Sequence, residues 1–252
     1  MSVGTLAWAR ARNGQLTRRE RLRGIANGMA VLVRTAPAQV RQRLRIPNPR
    51  AFEYDLDRLV IPDSAIARDA EELCREASPE GLVNHCMRTY AWGAILGKRD
   101  GLDPDPELLY VGSLLHDLAL TDEFREHSAI PCFAARGAIA ATEWAAGQGW
   151  PEHRCATLGD AISLHLNVRV PAEHGPEAQL LQAGAALDVA GMRHWDLDPK
   201  TVSEVVDRYP RLRMKDELYP LFTAELHPRT RAKLLDRWLR FGTLVRHSQF
   251  AE

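Results

Sequence analysis

Long apolar runs are missing from this 252-residue chain: none approaches the roughly 20 residues needed to cross a bilayer, and residues 1–12 lack an apolar core of signal-peptide length. A soluble, cytoplasmic protein without a membrane span is expected. Cysteine is sparse, and Cys74, Cys86, Cys132 and Cys155 form no C-x-x-C pair, which speaks against a disulfide framework and for a reducing compartment. Hairpin signals are poor as well. No Asn-Gly or Asp-Gly dipeptide lies between alternating apolar and polar runs, and β-branched residues do not cluster, so a sheet-based fold is not expected. Residues 1–50 contain no lysine and a single acid, Glu20.

Those same fifty residues carry eleven arginines, so the formal net charge of zero hides a basic arm and a remainder of about ten net negative charges. A basic arm can serve nucleic acid or anionic lipid, but this one has only Trp8 as an aromatic and intersperses helix-compatible Ile25, Met29, Leu32 and Val33. Docking onto the acidic remainder, or onto a second subunit in a homodimer, is the expectation. Pro47, Pro49 and Pro62 punctuate the passage out of the arm, dividing the chain into an Arg-rich extension, 1–58, and one main domain, 59–252. At 45% hydrophobic composition there is material for one sizeable core. Helical periodicity predicts helices over 64–77, 79–97, 106–119, 131–147, 151–166, 177–192, 199–208 and 228–245, several with a proline in the first turn. The expected fold is an all-α bundle.

Chemistry is suggested by polar residues on faces that should be greasy. His85 lies on the stripe Leu82, Thr89, Trp92 and Leu96; His116 follows Leu108, Gly112 and Leu115, with Asp117 beside it; Asp188 lies on the stripe Leu181, Ala185 and Met192. Each alone is weak. With nine His and sixteen Asp, a His-Asp dipeptide arises roughly 0.6 times by chance, and a lone histidine on an apolar face is more often a hydrogen-bonded core residue. Together they place two imidazoles and two carboxylates inward on successive helices. Burying such a set costs several kcal/mol unless it is paired, and one divalent cation, Zn2+, Fe2+, Mn2+, Ni2+ or Co2+, resolves the conflict and activates water.

Three strings carry a family resemblance: Asn84-His85-Cys86-Met87-Arg88-Thr89-Tyr90, Gly112-Ser113-Leu114-Leu115-His116-Asp117-Leu118 and Ala161-Ile162-Ser163-Leu164-His165, followed by Gln182 to Asp188 and Tyr209 to Lys215. Over residues 59–235 the chain resembles the HD-domain superfamily and, more narrowly, its cyanamide-hydratase-like branch. The resemblance implies an HD helical bundle with a single catalytic metal, zinc in that branch, held by His85, His116, Asp117 and Asp188. It implies the addition of water to cyanamide, giving urea. One departure bears on the substrate and not on the metal: where an acidic residue is expected between Phe133 and the Gly137-Ala138 pair, the chain has Ala134, Ala135 and Arg136.

Around this core, His165 is a candidate proton shuttle or substrate donor, Asn84 a candidate hydrogen-bond donor to the chain or the substrate, and Asp117 a second proton carrier. Thr121 and His127 are candidates for the cavity mouth, His127 also for a second metal. The alternative activity is phosphohydrolysis of a nucleotide or another phosphoester, which would want Arg88 and Arg136 free to hold phosphate; the stretch 110–121 offers neither Lys nor Arg. A different class again is a ligand-sensing module whose arm binds a partner, against which the intact set of four metal-binding candidates speaks.

Overall fold

A computed structural model describes residues 2–44, 46–126, 128–246, 248 and 250. Among the described residues the fold is an all-α bundle, with one isolated parallel bridge between Phe52 and Leu197. The helices are α1 (Leu6–Arg12), α2 (Arg18–Arg43), α3 (Ala65–Ala77), α4 (Glu80–Asp100), α5 (Pro106–Leu115), α6 (Asp122–Arg125), α7 (Phe133–Gly147), α8 (Glu152–Leu164), α9 (Gly175–Ala190), α10 (Pro199–Arg208), α11 (Met214–Ala224), α12 (Arg231–Leu239) and α13 (Phe241–Arg246). Local chemistry sets their ends. Asp105 accepts from Leu108 N ahead of Pro106 in the first turn of α5, and Gly101 and Gly191 take left-handed conformations to close α4 and α9.

The centre of the bundle is the crossing of α4 and α9, with α5 and α8 packed against the pair. Two glycines let α4 and α9 come together at backbone distance. A Cβ at Gly184 would sit 2.2 Å from the Thr89 carbonyl oxygen, and one at Gly93 would sit 3.0 Å from that of Leu180. This crossing places His85 and Asp188 face to face.

The arm is built into the body. Leu6 and Trp8 are buried, Leu6 N donates to Asp160 Oδ1 at 2.7 Å, and α1 packs on α7 and α8. Glu20, the arm's one acid, closes a capping box with Thr17 at the start of α2 and also accepts from the Trp8 indole at 3.0 Å, tying α1 to α2. From there α2 runs to α12, and Gln42 bonds the His194 ring. Contacts to the body come through apolar side chains and polar groups, while Arg18, Arg19, Arg21 and Arg23 remain exposed.

Beyond residue 210, two helical spans differ from the periodicity. The predicted 228–245 helix is two, because Arg240 adopts φ 52° between α12 and α13. Helix α11 is an addition: Pro220 inside it reads as a breaker, yet the buried Met214, Leu218 and Phe222 on one stripe hold it in place.

Candidate metal centre

His85, on the inner face of α4, is 1% exposed, and the turn after α5 brings two more polar groups to it. The sequence pattern suggests a helix through residue 119, but α5 ends at Leu115. His116 keeps helical angles, Asp117 leaves them at φ −105° and ψ 11°, and a 3-10 turn follows over Leu118–Leu120. Neighbours on a continuous helix project about 100° apart and could not both aim at one point. The turn removes that obstacle, leaving His116 Nε2 and Asp117 Oδ2 3.3 Å apart.

Hydrogen bonds fix which nitrogen each ring offers. His116 Nδ1 lies 2.7 Å from the Ser113 carbonyl, which can only accept, so Nδ1 carries the proton and Nε2 presents a lone pair. His165 repeats the device, its Nδ1 2.6 Å from the Ile162 carbonyl. His85 Nδ1 donates to Asp188 Oδ2 at 2.8 Å. Three imidazoles thus direct Nε2 toward Asp117. His85 Nε2 is 3.2 Å from His116 Nε2 and 3.5 Å from Asp117 Oδ2; His165 Nε2 is 3.6 Å from Asp117 Oδ1.

Two facing lone pairs beside a carboxylate repel one another unless a cation or a proton lies between them. Ligands placed tetrahedrally at about 2.1 Å from a zinc ion are about 3.4 Å apart, and the separations of 3.2, 3.3 and 3.5 Å among His85, His116 and Asp117 match that edge. These three side chains form a group that can hold a metal ion.

Charge balance follows the same geometry. Burial pushes the Asp117 carboxyl upward, but the His116, His85 and His165 rings around it hold it well below the usual carboxylate range. Burial lowers His85, and its contacts with Asp117 and Asp188 outweigh this and raise it. His165 is driven down to about 3, first by burial and then by the neighbouring His116.

Asp188 belongs to the other edge of His85. Burial opposes its ionisation, but the Arg88 guanidinium and His85 keep it well below the usual range. Arg88 binds it through two atoms, Nε to Oδ1 at 2.7 Å and Nη2 to Oδ2 at 3.0 Å, while the Trp92 indole donates to Oδ1 at 3.0 Å and Arg211 Nη1 lies 3.4 Å away. The structure therefore gathers the other three suggested ligands around the His85 ring, His116 and Asp117 at its Nε2 side and Asp188 at Nδ1. Sequence reasoning missed the cradle of Arg88, Trp92 and Arg211. Its signal was available in Arg88 and Trp92, which share the buried stripe of α4 with His85.

The remaining candidates fall as follows. Asn84 donates to the Pro210 carbonyl at 2.9 Å, and Thr121 donates to that of Leu118. His127 lies outside the described residues. Arg136, where an acid is expected, is buried and paired with Glu225 at 2.7 Å; Phe133, at the head of that stretch, packs its ring 5.9 Å from that of His165.

No family model matches the chain. Two proteins of Saccharomyces cerevisiae, cyanamide hydratase DDI2 and cyanamide hydratase DDI3, are each 27% identical to it over 169 residues, covering 66% of this chain and 72% of theirs.

Proposed function

We propose that this chain is a metal-dependent enzyme of the HD superfamily that adds water to a nitrile-type carbon, in the manner of a cyanamide hydratase. The observation that carries this is the convergence of tautomer-locked Nε2 lone pairs on Asp117. The names of the two yeast relatives supply the direction of the chemistry. His85, His116 and Asp117 would hold one divalent ion, Zn2+ in the first place. When bound, such an ion lowers the pKa of water toward neutrality and polarises the substrate.

The protein's own groups do the rest. Asp188, with its charge met by Arg88, fixes the His85 ring and its tautomer, a supporting role that its place at Nδ1 favours over that of a fourth ligand. His165, held down to about 3 and so neutral, with Nδ1 committed to Ile162, offers Nε2 as a hydrogen-bond acceptor that orients the attacking water, and Asp117 Oδ1 lies within reach of the water's proton. Asn84 ties the 209–215 segment to α4. In cyanamide the oxygen of water bonds to carbon, both protons reach nitrogen, and urea results. Residues 59–252 then form the catalytic domain, and 1–58 an extension that walls it.

Phosphohydrolysis fits less well, because both arginines it would use are taken: Arg88 by Asp188 and the Tyr209 and Pro210 carbonyls, Arg136 by Glu225. The test is urea formation from cyanamide by the zinc-loaded full chain, with para-nitrophenyl phosphate and nucleoside monophosphates in parallel. Urea production that a chelator stops supports the proposal. Phosphate release without urea overturns it.

A further inference from the structure

The metal-binding group forms the inner end of a cavity of about 430 Å3. Cyanamide has three non-hydrogen atoms and needs roughly 90 Å3 at a water-like 30 Å3 each. The cavity instead falls in the range of about 300–1,000 Å3 that encloses far larger ligands. Its outer wall is predominantly hydrocarbon and comes from several elements: Val31 and Leu32 of α2, Leu166 after α8, Val189 of α9, and Leu218 and Phe222 of α11. The Asp100–Arg193 ion pair that reaches its edge is satisfied within itself, at 2.8 and 3.0 Å. Water gains little in such a space, and a small polar substrate would leave most of the wall without a partner.

From this, and resting on the function proposed above, we infer that the substrate is a nitrile-bearing compound with a sizeable hydrocarbon substituent, such as an N-alkyl or N-benzyl cyanamide, whose tail fills the cavity while its nitrile carbon meets the inner polar group. The reaction balances without another reactant. Water adds across the C≡N bond, its oxygen bonding to carbon and its two protons ending on nitrogen, and R-NH-C≡N becomes R-NH-CO-NH2 with no leaving group. Binding energy from the tail is then available to position the nitrile.

The experiment compares cyanamide with N-propyl-, N-hexyl- and N-benzylcyanamide as substrates of the zinc-loaded full chain, and measures binding of urea, N-propylurea and N-hexylurea to the same protein by calorimetry. We expect kcat/KM to rise roughly three- to four-fold per methylene until the cavity is full, and product affinity to rise alongside. A Val31→Trp variant, and independently Leu218→Phe, should lower the hexyl-to-propyl ratio by about ten-fold. Urea formation from cyanamide with turnover and binding that are flat or falling with chain length overturns the substrate assignment and leaves the hydration chemistry standing. Bound zinc with no urea or alkylurea from any member overturns the chemistry, and the substrate assignment with it.

Discussion

Replacing Arg88 by methionine removes the cation that holds Asp188, and both side chains are fully buried. A carboxylate left there with only the longer Arg211 contact at 3.4 Å to meet its charge should cost up to about 3–5 kcal/mol, against a total stability of about 5–15 kcal/mol for a typical domain. For a chain of this size the melting temperature should fall by about 6–20 °C. The discriminating partner is the double variant Arg88→Met with Asp188→Leu. It removes both charges and should recover at least half of the loss, because replacing a buried pair by apolar groups is often neutral, even though Trp92, Arg211 and His85 lose an acceptor.

Urea unfolding of chelator-treated proteins gives both numbers without the added stability of a bound ion. A single variant that loses under about 1 kcal/mol, or a double variant no more stable than the single, would refute the charge accounting around Asp188. Zinc affinity of the double variant, read by competition with a chromophoric chelator, addresses its role. A support that orients His85 predicts a fall of about 10–100-fold, whereas loss as complete as that of His116→Ala would make Asp188 a ligand.

Three further outcomes follow from other parts of the molecule. Asp117→Asn should abolish zinc retention on gel filtration together with hydration activity, with helix content by circular dichroism unchanged; retained stoichiometric zinc would remove Asp117 from the site. Gly184→Ala should cost about 1–3 kcal/mol and weaken zinc binding, since its Cβ meets the Thr89 carbonyl oxygen at 2.2 Å, while Gly147→Ala, with open space around it, should be neutral or slightly stabilising; equal effects would contradict the close α4–α9 crossing. His194, pushed down from 6.5 to about 4 by burial, takes up its proton later in the folded than in the unfolded chain, so stability should fall as pH drops from 6.5 toward 4. Between pH 6.5 and 5 the wild type should lose about 2 kcal/mol more than His194→Gln, and parallel pH profiles from urea unfolding would exclude this.

The fold was legible because helical signals act locally. Prolines at 106 and 199 mark starts in the sequence as they do in the structure, and the stripe containing His85 is buried as its periodicity implies. What escaped the sequence depends on contacts between distant segments. Helix α11 stands on burial against the rest of the bundle, which outweighs the warning of Pro220, and the arm's docking depends on Trp8 and Glu20 more than on its arginines. The break after Leu115 likewise has no breaker residue to announce it: Leu115, His116, Asp117 and Leu118 carry neither glycine nor proline.

The candidate site shows the same division more sharply. An order of His, His-Asp and Asp along the chain reads identically whether the last carboxylate would touch a bound metal or only a ring able to hold one. What separates the two is which edge of His85 each group meets, and that is decided by partners the order does not contain. Arg88, one turn beyond His85, claims the Asp188 carboxylate and keeps it at Nδ1; the Ser113 and Ile162 carbonyls, each three residues before a histidine, turn those rings so that Nε2 faces Asp117. A carbonyl three residues upstream is present before every residue of a helix, so it signals nothing in the sequence. It acts here because His116 and His165 each cap the end of a helix, where the ring can fold back onto a carbonyl of the last turn. The donor set thus depends on where two helices stop, and moving either stop by one residue would turn an imidazole lone pair away from the centre.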